Sequence, residues 1–234
     1  MELYHVVTDK SNAEIYALSA VKPDNQLGSY YYFRTKNLKN YFQKLGYTPK
    51  NFMLDSGAFS AWNKGKNISI IDYMNYIKAN EQCISYYIAL DVIGDSDLTF
   101  DYFRIMKKKG FKPIPVFHYG ANLDWLKSYV DDGCDYIALG ATVPIKNKTV
   151  VAKWVISLQV LYPNVKYHLL GCSSTKVTHL TDLYSADSST WITQAKNGNP
   201  KHIEGKTTEK KIERAIYNLK HANPKSQYKQ LNFF

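Results

Sequence analysis

Eight short apolar runs constrain this chain more than any other feature. They lie at 3–8, 29–33, 51–55, 86–91, 113–118, 136–140, 166–171 and 184–189. Most are followed by a stretch whose apolar residues fall three and four apart, which is the period of a helix with one buried face. Leu38, Tyr41, Phe42 and Leu45 form such a stripe before Gly46, and Ile71, Met74 and Ile77 form another. So do Leu123, Leu126 and Val130, and then Val151, Trp154, Val155, Leu158 and Leu161. Further helices are expected at 97–109, 175–183 and about 207–221, and 11–20 reads as a short helix or a loop. Strands alternating with helices at spacings of about 20–30 residues predict a parallel sheet, because parallel neighbours need a crossover connection. Eight such units predict an α/β fold of the (β/α)8 TIM-like barrel type, one domain over 1–234 with a basic C-terminal helix and tail at about 200–234. A doubly wound open sheet is the second topology, but the chain carries neither GxGxxG nor GxxxxGK[ST] to support it.

Composition narrows the setting. A chain of 234 residues, 45% hydrophobic, buries a full core without covalent staples. Cys83, Cys134 and Cys172 lie far apart and form no CxxC, so neither a zinc knuckle nor a disulfide framework is indicated. A reducing, cytoplasmic compartment fits this usage. No charged segment precedes an apolar one at the N-terminus, so no signal peptide is expected. No apolar run approaches the roughly 18 residues that span a bilayer. The formal net charge of +10, with 20 tyrosines, fits a polyanionic partner. The competing reading is a lysine excess that keeps the surface soluble.

The strand ends carry the chemistry. Asp55, Asp91, His118, Gly140, Gly171 and Asp187 each close an expected strand. In a barrel these ends share one rim, where active sites sit. Taken singly, Asp55 in Asn51-Phe-Met-Leu-Asp-Ser-Gly-Ala-Phe-Ser-Ala-Trp62 reads as a helix cap and His118 as a core histidine. Taken together, three acids at one rim raise the pKa of at least one of them into the range useful for acid–base work. The glycines allow a flat ligand to approach the backbone.

These motifs, in order, resemble the tRNA-guanine transglycosylase superfamily, and most of all its DpdA-like branch of phage and genomic islands, which places 7-deazaguanines in DNA. The signature is Asp55-Ser56-Gly57-Ala58-Phe59-Ser60, followed by Ala89-Leu90-Asp91, His118-Tyr119-Gly120, Leu139-Gly140-Ala141, Leu170-Gly171-Cys172 and Ala186-Asp187-Ser188. The resemblance covers about residues 51–192. It departs from the tRNA enzymes in lacking the cysteine-rich zinc subdomain, and in Ala58, Ser60 and His118 where the family has Gly, Gln and Gln. It implies a pentosyltransferase in which Asp187 is the nucleophile and Asp55 the acid–base group. Asp91, Ser56, Gly57, Phe59, His118, Gly140 and Gly171 would bind the base. Lys196, Lys201, Lys206, Lys210 and Lys211 would contact phosphates, alongside lysines of the tail to Lys229. The partners implied are DNA with a flipped or locally melted guanine and a free preQ0-type base, with an accessory protein or a second copy as further candidates. No cofactor and no metal are implied, and the setting is the cytoplasm of a bacterial or phage-infected cell. Three other readings stay open: a tRNA-directed enzyme, a catalytically silent nucleic-acid-binding paralogue, and a barrel hydrolase of small glycosides.

Overall fold

The computed structural model describes residues 1–222; the basic tail expected beyond them lies outside the described residues. Eight strands are present: β1 (Glu2–Val7), β2 (Asn25–Ser29), β3 (Asn51–Asp55), β4 (Tyr86–Tyr87), β5 (Val116–His118), β6 (Tyr136–Gly140), β7 (Lys166–Leu169) and β8 (Ser185–Ser188). All pairings are parallel, in the order β4-β3-β2-β1-β8-β7-β6-β5. An isolated parallel bridge, Ile88 to Ile114, joins the two ends of that order. There the Ala89 N–H donates to Ile114 O at 2.8 Å and the Ile114 N–H to Tyr87 O at 2.9 Å. The ring therefore closes, as the TIM-like barrel requires.

Strand alternation sorts side chains into two cores. Tyr4, Leu27, Met53, Ile88, Ile114, Val116 and Ala138 fill the lumen. Their strand neighbours Phe52, Leu54, Phe117, Ile137 and Leu139 face outward into a larger core shared with the helices. Each such side chain taken fully from water contributes about 1.5–3 kcal/mol. The helices are α1 (Asn12–Val21), α2 (Tyr30–Phe33), α3 (Leu38–Leu45), α4 (Ala58–Trp62), α5 (Ile70–Ala79), α6 (Ser96–Lys108), α7 (Leu123–Asp131), α8 (Lys148–Leu161), α9 (Thr175–Thr178), α10 (Thr190–Lys196) and α11 (Thr208–Lys220). Several start on caps visible in the sequence. Ser11, Asn37, Asp95 and Thr207 each accept an N–H from the first turn they precede.

One strand is displaced from its expected position. The aromatic run 29–33 is not a strand; β2 is the polar stretch 25–29, and Tyr30–Phe33 forms α2. Gln26, which looks like a loop residue, is buried because Tyr41 Oη donates to its Oε1 at 3.1 Å while its Nε2 donates to Tyr47 Oη. The helical turn lets Tyr30 and Phe33, three apart, enter the outer core together, Phe33 edge-on to Tyr41 and Phe52. Gly28 is required at this crossing: a Cβ there would lie 2.5 Å from the Phe52 ring.

After β8 the chain adds a lock. Helix α10 runs from the rim toward the opposite end of the barrel, and α11 returns antiparallel to it and packs on α1. Arg214 of α11 is buried and spends its guanidinium on carbonyls. Nε donates to Ala195 O at 3.0 Å, and one terminal nitrogen donates to Ile203 O at 2.8 Å and to Gly205 O at 2.9 Å. The first adds a side-chain donor to a carbonyl of α10's last turn, which the Gly198 N–H also approaches at 3.3 Å. Arg214→Ala should therefore cost about 2–4 kcal/mol by removing a buried charged donor shared by three carbonyls. Arg214→Lys should recover only part of this, because an ammonium lacks the planar fork; urea denaturation checks both.

Candidate active site

The site is assembled at the ends of β3, β6, β7 and β8 and in the loop after β4. At the end of β3 the chain turns through Gly57, whose φ of 79° suits glycine. The Gly57 N–H donates to Asp55 Oδ2 at 2.9 Å, and a Cβ on Gly57 would sit 2.5 Å from Ser29 Oγ. Ser56 points the other way and is fully buried; its hydroxyl donates to Asp91 Oδ1 at 2.9 Å. The other oxygen of Asp91 lies 3.2 Å from His118 Nε2. His118 lies flat against β6, where a Cβ on Gly140 would come within 2.7 Å of its ring. Glycine is needed there to seat the histidine.

Asp187 is held from the far side. The Gly171 N–H donates to its Oδ1 at 2.8 Å, and His168 Nε2 lies 3.2 Å from the same oxygen. Gly171 has a φ of 65°, and a Cβ there would press on Val143 at 2.8 Å. Among the described residues Oδ2 of Asp187 has no protein hydrogen bond.

Asp55, Asp91 and Asp187 line one cavity of about 430 Å3. Its floor is acidic and its walls are apolar, with Leu27, Ile93, Val143, Pro144 and Leu170 among them. Phe59 and Trp62 of α4 stand at its edge, stacked with centroids 6.2 Å apart and 29° between planes. Both remain substantially exposed, 45% and 58%, so they offer a ring surface to a ligand at little further cost.

The acids are not equivalent. Asp55 is half-buried and lines the cavity. Burial first, then the charge of Asp91, then that of Asp187, push its pKa up to about 7, against the lowering effect of the Gly57 N–H and the neighbouring Ser29 hydroxyl. Asp91 and Asp187 each face a histidine; Asp55 faces none. Asp55 thus holds a proton up to about pH 7.

Of the residues expected at the site, Asp55, Asp91, Asp187, Phe59, Gly140 and Gly171 line the cavity. Ser56, Gly57 and His118 do not; they stand behind the acids and hold them. The lysines are elsewhere. Lys196 ends α10, which leaves the rim at Thr190 and spans 7 residues, about 10 Å of helix. Lys201 and Lys206 follow at that far end, Lys210 is paired with Glu213 at 2.7 Å, and Lys211 sits beside it in the first turns of α11. None of these five lines the cavity. His168 escaped the sequence reading, although its alternation with Leu170, a lumen residue, placed it on the inner face of β7. Short helices α4 and α10 escaped as well, being too brief to show a period. Among the described residues no group of three or more His, Cys, Asp or Glu is arranged to hold a metal ion, and no helix is long and apolar enough to cross a membrane.

No family model and no curated protein matches the chain. Solved structures do. One is the YdjI aldolase from Escherichia coli K12, with 14% identity over 94% of this chain and 90% of that one, at a TM-score of 0.53. A 4-hydroxy-2-oxoglutarate aldolase matches with 10% identity over 92% of each chain at 0.51. A 2,3-dimethylmalate lyase of the PEP mutase/isocitrate lyase superfamily matches with 9% identity over 92% and 89%, at 0.51. At such identities the likeness carries the barrel fold and not a reaction. These neighbours are aldolases and a lyase, not transglycosylases, and they overturn the expectation of guanine exchange in DNA.

The raised pKa of Asp55 has a thermodynamic signature. Between the unfolded carboxyl's value near 4 and about 7, the folded protein holds a proton that the unfolded chain has lost. This group's contribution is therefore full below about pH 4 and is lost as pH rises through about 7. Asp55→Asn should flatten that decline and stabilise the fold at pH 8 by about 1–3 kcal/mol, with little effect at pH 4. Thermal melts of both proteins across pH 4–8 read this directly.

Proposed function

We propose that this chain is an enzyme that cleaves the glycosidic bond of a small, uncharged or cationic glycoside by paired-carboxylate chemistry. The observation that carries the reading is the division of labour at the cavity floor. Asp55 keeps a proton to about pH 7, while Asp187, lining the same cavity, has Oδ1 tied down and, among the described residues, no hydrogen bond to Oδ2. A carboxyl that keeps its proton, in one cavity with a second carboxyl that has an oxygen free of protein partners, suits a general acid and a nucleophile. Asp55 donates its proton to the departing oxygen or nitrogen. Asp187 Oδ2 bonds to the anomeric carbon as that bond breaks. Water then attacks the same carbon and breaks its bond to Asp187, which leaves as a carboxylate, while Asp55, now ionised, accepts the water's proton and returns to its starting state. Asp91, fixed by Ser56 and His118, adds a further acceptor for ligand N–H or O–H groups. The Phe59–Trp62 pair receives the apolar face of a sugar or its aromatic aglycone.

The charge of the cavity supports a ligand without phosphate or carboxylate. The described residues lining it include three acids and neither Lys nor Arg, and like charges a few ångströms apart in low dielectric repel strongly. The ordered motifs of the sequence, which resemble a superfamily acting on glycosidic bonds, point the same way.

Turnover of aryl O- and N-glycosides, with a 2-fluoro glycoside to trap the intermediate, tests the reading. A mass increase on the Asp187 peptide is expected, and Asp187→Ala should lose it together with at least about a thousandfold in kcat. In the wild-type protein kcat/KM should fall as pH rises through about 7, as the acid form of Asp55 disappears. Absence of both turnover and adduct across the panel would overturn the assignment.

A further inference from the structure

Behind Asp187 the lumen holds a line of hydrogen bonds that the site itself does not need for burial. Tyr136 Oη lies 2.6 Å from Ser185 Oγ, Ser185 Oγ lies 2.7 Å from His168 Nδ1, and His168 Nε2 lies 3.2 Å from Asp187 Oδ1. His168 and Ser185 are fully buried. The line runs from the cavity floor down to the first residues of β6 and β8, near the opposite end of the barrel. The other charged and titratable groups around it include Asp55 and Asp91 across the floor, Tyr4, whose ring meets His168 edge-on at 5.9 Å, Glu2, which accepts from Tyr4 Oη, and Tyr86 and Tyr184, which meet the Tyr136 ring edge-on at 5.8 and 5.3 Å.

We propose that His168 is a positioning residue for Asp187, held in its Nε2–H tautomer by the Tyr136–Ser185 pair, so that one oxygen of Asp187 is occupied and the other faces the cavity. This rests on the paired-carboxylate reading for its purpose, and on geometry alone for its content. A neutral imidazole has one N–H and one bare nitrogen. With the proton on Nδ1, the bare Nε2 would face the Asp187 carboxylate, lone pair against negative oxygen. With the proton on Nε2, that contact becomes an N–H···O bond and Nδ1 becomes an acceptor. Among the described residues only the Ser185 hydroxyl is hydrogen-bonded to Nδ1, so it must donate there. A serine hydroxyl has a single proton and spends it on this bond. Ser185 Oγ is then left as acceptor for Tyr136, whose phenol burial keeps protonated. Every donor in the line points toward the floor, and with the Gly171 N–H the pair fixes Oδ1. Such fixing of a functional group through a histidine's second nitrogen is a general device.

The test is 15N NMR of the histidine rings in the free protein, with the His168 signals identified by their loss in His168→Gln. At neutral pH the wild-type protein should show His168 as the single Nε2–H tautomer. Ser185→Ala removes the donor to Nδ1 and should shift the His168 nitrogens toward an averaged mixture. The protonated imidazolium or the Nδ1–H form in the wild-type protein would overturn the proposal, as would unchanged His168 nitrogens in a folded Ser185→Ala. The wild-type spectrum is decisive by itself if that variant fails to fold. No substrate enters the measurement, so its failure is separate from a failure to find glycoside turnover. Where turnover is found, Ser185→Ala should lower kcat about tenfold with KM unchanged.

Discussion

Three carboxyl groups at one end of a closed ring of strands set a problem in electrostatics that the rest of the structure answers. Charges a few ångströms apart in a poorly solvated floor cannot all be carried by oxygen without compensation. Two acids are compensated by donors. Asp91 receives the Ser56 hydroxyl and faces His118; Asp187 receives the Gly171 N–H and faces His168. The third, Asp55, has a backbone N–H and a hydroxyl nearby but no histidine, and it relieves the repulsion by keeping a proton. Asp55 is thus set apart by what its neighbours have and it lacks.

That arrangement needs the backbone to yield at fixed places. Gly57, Gly140 and Gly171 each stand where a Cβ would strike a neighbour at 2.5–2.8 Å, and in each case the space serves an acid. Gly57 and Gly171 present an N–H to a carboxylate through a turn of positive φ, and Gly140 leaves room for the ring of His118. The parallel barrel supplies the rest. Its strands point their C-terminal ends the same way, so acids distant in sequence meet without long loops.

Much of this was legible before any coordinates. The eight strands and their alternation with helices were readable because apolar runs and helical stripes have distinct periods, and Asp55, Asp91 and Asp187 were readable as strand ends. The exception was β2, where local aromatic content suggested a strand at 29–33 and the barrel instead used polar residues whose burial depends on partners in α3 and beyond. No sequence window contains Tyr41 or Tyr47 as partners of Gln26. The same limit hid His168: its importance lies in contacts with Ser185 and Asp187, 17 and 19 residues away. Ser56 and His118 were read as ligand contacts because they sit in the right motifs, yet one residue of strand or turn phase directs them at Asp91 instead.

The charge of the whole chain and the charge lining the cavity have opposite signs. A net +10 favours a polyanion when it is summed over the sequence, but a ligand in the cavity meets the charges that line it. Those are three acids, with the lysines of α10 and α11 displaced along the barrel or engaged with Glu213. Coulomb energy falls with distance and surface charges are screened over about 8–10 Å by salt. A lysine a helix length away therefore does little to offset the acidity at the floor. Net charge argues about the surface and its long-range field, whereas the acids fix which ligand can enter. Aldolases and lyases share the ring of strands, so the reaction has to be sought in the side chains that this chain places at the rim.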